Sequence, residues 1–226
     1  MLTVRRLHLA WADREGGWGM TGHYAQVAFT DAVRAHQAAQ GSLRGYERMA
    51  AVPEVADRLG ENEAWFIGER DSFYLSTVSE TGWPYIQHRG GARGFLKVVD
   101  SRTLGFADFR GNKQYISRGN LDHDGRVALF LMDYAARTRL KIFGRARVVE
   151  AAEQPELVAS LTVPGYKAQV ERAVLIEVEA FDWNCSQHIP ELYPREEVLE
   201  AVADLRERIA DLERENAALR AAGTTS

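Results

Sequence analysis

A single cysteine, Cys185, in 226 residues excludes an intramolecular disulfide and fits a reducing compartment. No run approaches the roughly 20 apolar residues of a membrane-spanning helix. Neither sign of charge dominates. With 28 basic and 32 acidic side chains, a formal net charge of −4, a global attraction to nucleic acid or to an anionic membrane is excluded. The first twelve residues carry Arg5 and Arg6 and then an apolar run that His8 interrupts. They lack the longer apolar stretch and small-residue cleavage site of a signal peptide, so the expectation is a cytoplasmic chain. No nucleophile elbow, P-loop or HExxH occurs. What is present is 46% hydrophobic and 10% aromatic, enough for a sizeable core.

Against that balanced background one segment stands out. Between Ile86 and Arg118 lie His88, Arg89, Arg93, Lys97, Arg102, Arg110, Lys113 and Arg118, opposed only by Asp100 and Asp108. Gly90, Gly91, Gly94, Gly105 and Gly111 are interleaved with them. Cations and exposed backbone amides together suit a phosphate dianion, so the segment reads as the phosphate grip of a cofactor site. Arg110-Gly111-Asn112-Lys113-Gln114 predicts a turn into a short helix over Asn112 to Gly119. There Asn112 caps, and Lys113 sits beside an anion at the free N–H groups. Gln87-His88-Arg89-Gly90-Gly91, at a strand end, makes the site two-sided. Arg139 and Lys141 alternate with Leu140 and Ile142 and share one strand face, a pattern that a solvent-facing strand also produces.

The organisation is helical first and then β-rich. Up to about Gly68, Tyr24, Val27, Ala28 and Val33 sit near helical spacing, and Gly41 and Gly45 end that run. Pro53 opens a second helix in this reading, with Val55, Leu59, Trp65 and Phe66 turned inward. Strands follow at Phe73 to Ser79, Trp83 to His88, Phe95 to Val99, Leu104 to Phe109, Val127 to Tyr134, Arg139 to Val149 and Val174 to Phe181. Pro84 marks an edge or a strand start. Short helical pieces are expected around Pro155 and Pro164. Hairpin spacing without strand–helix alternation argues for an antiparallel barrel rather than a parallel dinucleotide-binding sheet.

The tail carries a heptad. Val202, Ile209 and Asn216 occupy a, and Val198, Leu205, Leu212 and Leu219 occupy d. β-Branched a residues with leucine at d favour two parallel strands, and a lone asparagine at a pins register. In such a pair Arg208 at g faces Glu213 at e, and Glu215 faces Arg220. A helix lying on its own barrel is the alternative.

Other motifs are weak. Gly17-Trp18-Gly19-Met20-Thr21-Gly22 matches GxGxxG, but Ala12 to Gly16 separates it from the one possible strand, Val4 to Leu9, and no acidic strand end follows. It reads as a loop. Arg89-Gly90-Gly91 is a single copy on an acidic protein, a poor RNA element. Cys185 and His188 have metal-ligand spacing without a second pair, and Asp122-His123-Asp124 reads as a turn, so no metal site is expected. No base or cationic surrounding can be placed for a catalytic thiol at Cys185.

Several runs resemble the pyridoxamine 5′-phosphate oxidase-like flavoproteins. They are Phe73-Tyr74-Leu75-Ser76-Thr77-Val78, Gly82-Trp83-Pro84-Tyr85-Ile86-Gln87-His88-Arg89-Gly90-Gly91 and Gly94-Phe95-Leu96-Lys97, followed by Leu104 to Tyr115, Arg139 to Gly144 and Trp183 to Ile189. The resemblance implies a mainly β (α+β) fold, a six-stranded-type antiparallel split barrel with flanking helices. Together with the helical start and the heptad tail, this divides the chain into an N-terminal irregular and helical extension (1–68), an FMN-binding barrel (69–192) and a C-terminal coiled-coil helix (195–221). The resemblance further implies a homodimer with FMN at the subunit interface. Gln87, His88 and Arg89 would line the flavin, Asn112, Lys113 and Gln114 would take its phosphate, and Arg139 and Lys141 would pass beneath its rings. Trp183, Gln187 and His188 would reach in from the second subunit.

The activity implied is hydride transfer between FMN and a nicotinamide (NAD(P)H) or another small-molecule substrate, with His88 or His188 as the proton donor. The alternatives are a flavin- or haem-binding sensor or carrier without turnover, and a deazaflavin-dependent reductase. The run Asn184-Cys185-Ser186-Gln187-His188 lacks the arginine of the family's substrate-phosphate motif, so pyridoxamine phosphate oxidation is not expected.

Overall fold

Alternation of apolar and polar side chains, which sends every second residue to one face of a strand, builds most of this molecule. The computed structural model describes residues 20–184 and 187–223. The expected strand Val4–Leu9, Gly17, Trp18 and Gly19 of the glycine pattern, and Cys185 lie outside the described residues. Those described fall into two units: 20–133 with 138–184 and 187, and 134–137 with 188–223.

The first unit holds seven strands: β1 (Ser72–Val78), β2 (Pro84–Gly90), β3 (Lys97–Asp100), β4 (Thr103–Phe109), β5 (Arg126–Asp133), β6 (Thr138–Glu150) and β7 (Val170–Asn184). They form one antiparallel sheet in the order β2-β1-β5-β6-β7-β4-β3. Pro84 both opens β2 and lies on an edge strand, where its missing N–H is harmless. Phe73 of β1 packs edge-on against Phe106 of β4 at 5.4 Å, although three strands intervene in the hydrogen-bonded order. The sheet is therefore curled on itself as a split barrel. Phe66, Phe73, Leu75, Leu104, Phe106, Leu129, Leu131, Leu140, Ile142 and Ile176 fill it.

Among the described residues six helices flank the sheet: α1 (Gly22–Ala28), α2 (Asp31–Ala39), α3 (Leu43–Ala50), α4 (Glu61–Gly68), α5 (Ile116–His123) and α6 (Pro155–Leu161). Val158 and Leu161 of α6 close a satellite core with Ala107, Val149, Ala173 and Leu175. The second unit holds α7 (Arg195–Gly223). Among the described residues no helix is long and apolar enough to cross a membrane.

Several helix expectations are corrected. Gly45 lies inside α3 instead of ending a helix. Pro53 opens no helix, because the backbone after it bonds to strands and loops: Asp57 N–H donates to Glu179 O (2.9 Å) and Leu59 N–H to Ser101 O (2.7 Å). Leu59 and Phe66 are buried as expected, whereas Val55 and Trp65 are exposed. The helix after Gly111 begins only at Ile116. Of the two pieces near Pro155 and Pro164 only the first is helical; a turn at Gly165 (φ +80°) replaces the second.

Candidate functional site

β2 sets one wall of the site by period-two alternation. Tyr85, Gln87 and Arg89 line a cleft of about 240 Å³, while Ile86 and His88 point to the outer face, where His88 packs edge-on against Tyr74 at 5.6 Å. Asp108 and Phe109 at the end of β4, Glu171, Arg172 and Val174 of β7, and the segment Gly111–Arg118 complete the lining.

The 111–115 segment is not a helical cap. Asn112 Oδ1 accepts from the Gln114 N–H at 3.2 Å, which closes a local turn. Lys113 (φ +61°) and Tyr115 (φ +53°) both adopt the left-handed conformation. Two non-glycine residues in that region within three positions store backbone strain, about 1–3 kcal/mol each, at the rim of the cleft. α5 is held behind this turn by Asn120, whose buried amide donates to Thr77 Oγ1 of β1 at 2.9 Å.

The charges form a graded network. Arg89 Nη1 lies 2.9 Å from Asp108 Oδ1, and Arg172 Nη1 lies 3.8 Å from Asp108 Oδ2. Glu171 takes Arg110 at 2.8 Å and Arg172 at 3.0 Å. The Arg172 guanidinium also stands 5.4 Å over the Tyr115 ring. Burial pushes the Asp108 carboxyl above its ordinary range; Arg89 and Arg172 oppose this, and Glu171 and Glu150 add to it. The hydrogen bond from Arg110 holds Glu171 below its usual value. The Nε atoms of Arg89 and Arg172 are buried without a hydrogen-bond partner. Lys113 makes no ion pair among the described residues. The lining carries Arg89, Lys113, Arg118 and Arg172 against Asp108 and Glu171, while Asp122 pairs Arg118 and Glu150 pairs both Arg118 (3.7 Å) and Arg172 (3.6 Å) from outside it; apolar and aromatic walls come from Leu75, Tyr85, Phe109, Tyr115 and Ile116.

Of the residues singled out from sequence, Gln87, Arg89, Asn112, Lys113 and Gln114 meet at this cleft. His88 does not, because its neighbours in the pleat face inward. Arg139 and Lys141 share a face of β6 that does not line the cleft. There Lys141 Nζ pairs with buried Asp182 at 2.6 Å and stands 5.2 Å from the Tyr24 ring, which stacks on Phe143 at 4.8 Å. Trp183 is buried within its own chain, its indole N–H donating to Glu63 at 2.8 Å and its ring edge-on to Phe66. Gln187 and His188 are exposed turn residues. Glu171 and Arg172 are additions from the structure: β7 starts at Val170, four residues before the expected Val174, and the run Val170-Glu171-Arg172-Ala173-Val174 does not alternate, so no sequence signal marks them. Among the described residues no group of His, Cys, Asp and Glu is placed to hold a metal ion.

The family model for pyridoxamine 5′-phosphate oxidase matches residues 59–184, more than half of the chain and every strand of the sheet. Comparison with curated proteins gives no significant match. Among solved structures, a putative pyridoxamine 5′-phosphate oxidase from Lactobacillus delbrueckii is 21% identical over 55% of this chain and 93% of its own (TM-score 0.43). The Group A Streptococcus protein HupZ is 16% identical over 60% and 99% (TM-score 0.43). An FMN-binding protein from Syntrophomonas wolfei is 11% identical over 67% and 97% (TM-score 0.39).

Proposed function

Because the chain belongs to the pyridoxamine 5′-phosphate oxidase family, we propose that it is a homodimeric FMN-dependent oxidoreductase acting between a nicotinamide or small organic substrate and the flavin. The observation that carries this is Lys113 at the cleft, without an ion pair among the described residues, beside the ion-paired Arg89, Arg118 and Arg172. A phosphate monoester matches that charge. It also offers acceptors to arginines whose Nε atoms lack them, and an unmet buried donor costs about 1–3 kcal/mol.

In this reading Arg89 and Arg172 donate to the phosphate and Lys113 adds a point charge at the rim. Asp108 and Glu171 hold the guanidinium groups in place before the ligand arrives. Tyr85, Tyr115 and Phe109 supply the apolar surface that a ring system requires. When bound, FMN supplies the hydride chemistry; the chain's own part is to bind, orient and exclude water.

Equilibrium dialysis with FMN and riboflavin tests the grip: FMN is retained and riboflavin is not, and Lys113→Ala with Arg89→Ala abolishes the difference. Equal retention of both ligands sinks the assignment. Anaerobic NADPH should then bleach the flavin absorbance. The carrier reading has one observation in its favour, that among the described residues no histidine lines the cleft. Flavin that stays oxidised with NADH, NADPH and candidate substrates would decide for it, and a Soret band would decide for haem.

A further inference from the structure

Helix α7 leaves Val198, Leu205, Ile209, Leu212 and Leu219 between 46% and 67% exposed. These are all four d positions and one of the a positions of the heptad, so most of the apolar seam of a charged helix stands exposed. Helices of this kind take most of their stability from packing that seam against something.

We propose that α7 pairs with α7 of a second copy of this chain as a parallel, in-register, two-stranded coiled coil. Charge complementarity chooses the occupant, and Asn216 chooses the direction. Arg208 and Glu213 make no ion pair within their own chain among the described residues, and a parallel partner brings each opposite the other. Glu215 and Arg220 occupy the equivalent positions one heptad later. An antiparallel partner that seats a against d would set Arg206 against Glu213 and Arg208 against Glu215, also of opposite sign, so direction rests on the a position. Asn216 adds register: in the parallel pair the two amides meet and bond each other, whereas a stagger buries each against leucine. This pairing is independent of what the cleft binds.

The test uses the full chain with Cys185→Ser and one new cysteine at a time, Val198→Cys or Leu219→Cys. The two positions are roughly 31 Å apart along the helix, and facing d residues in a parallel pair lie within disulfide reach. Mild oxidation should link both single variants to themselves nearly completely, with a Glu207→Cys control on the outer face at least tenfold slower. Adding Leu205→Glu to the Leu219→Cys chain should abolish the link while circular dichroism shows the sheet intact. Linkage only in a mixture of the two single variants would mean an antiparallel pair and overturn the proposal. So would no linkage anywhere, or linkage indifferent to Leu205→Glu.

Discussion

Arg89 and Asp108 meet at 2.9 Å although four strands separate β2 from β4 in the hydrogen-bonded order. The contact is where the curled sheet meets itself across the cleft, so one ion pair joins the barrel's architecture to the charge of its pocket. Burial already disfavours the ionised form of Asp108. Its folded pKa therefore lies above the unfolded one, and its stabilising protonation is complete below about pH 4 and lost as pH rises through the folded value.

Asp108→Asn follows from this. At neutral pH the amide keeps the shape but leaves the largely buried Arg89 and Arg172 without their shared carboxylate, so thermal stability should fall, by up to about 3–5 kcal/mol. The same change deletes a negative charge beside Arg89 and Arg172. Binding of inorganic phosphate or FMN, measured by calorimetry, should tighten by about tenfold. Weaker binding would mean that Asp108 positions the arginines more than it opposes the ligand.

Lys113→Gly separates strain from charge. Glycine adopts φ +61° without the side-chain penalty, so the variant should unfold at higher denaturant, by about 1 kcal/mol. It should bind phosphate at least tenfold more weakly, because a rim charge is gone. A variant that loses both stability and binding would place the cost elsewhere than in the turn.

His23 predicts a pH dependence. Gln26 Nε2 donates to Ala50 O and Val52 O, both at 2.8 Å, so its Oε1 is left to accept from His23 Nδ1 at 2.9 Å. Glu179 accepts from Nε2 at 3.1 Å. With both ring nitrogens donating, the imidazolium is the favoured form. Burial pulls its pKa down, but the bonds to Gln26 and Glu179 and the charges of Asp57 and Glu179 outweigh it, and the net shift is upward from 6.5. The resulting stability is present in full below pH 6.5 and is lost as pH rises through the folded value. Melting temperatures should fall across that range, and Glu179→Gln should flatten the fall.

Gly144→Ala tests the bulge in β6. An added Cβ would lie 2.6 Å from Glu177 O and 2.8 Å from Ile176 Cγ2, at the register shift between Phe143 and Gly144 opposite β7. Neither the backbone carbonyl nor the packed isoleucine can yield cheaply. A loss of about 1–3 kcal/mol in chemical denaturation is expected.

The strands were legible in the sequence because alternation and turn residues coincide: Ser79 to Gly82 closes β1 onto β2, and Pro84 starts an edge. The cationic side chains were legible as well, since charge clustering is a property of composition. What escaped was whatever depends on partners distant in sequence. Pro53 looked like a helix start, yet the Asp57 carboxylate takes the Phe181 N–H at 3.0 Å and ties that stretch to β7 as an irregular strap. The partners of Trp183 and Lys141 within the chain, Glu63 and Asp182, lie far off or on another strand and leave no mark in the sequence. The family resemblance groups His88 with Gln87 and Arg89, whereas the pleat of β2 turns His88 to the opposite face.

That last alternation gives β2 two independent vocabularies. Odd-numbered residues from Tyr85 to Arg89 speak to whatever the cleft holds, and even-numbered ones from Pro84 to His88 speak to whatever lies outside the sheet. Drift at Ile86 or His88 can thus remodel the exterior of the molecule while its interior chemistry stays unaltered, a mere peptide unit away.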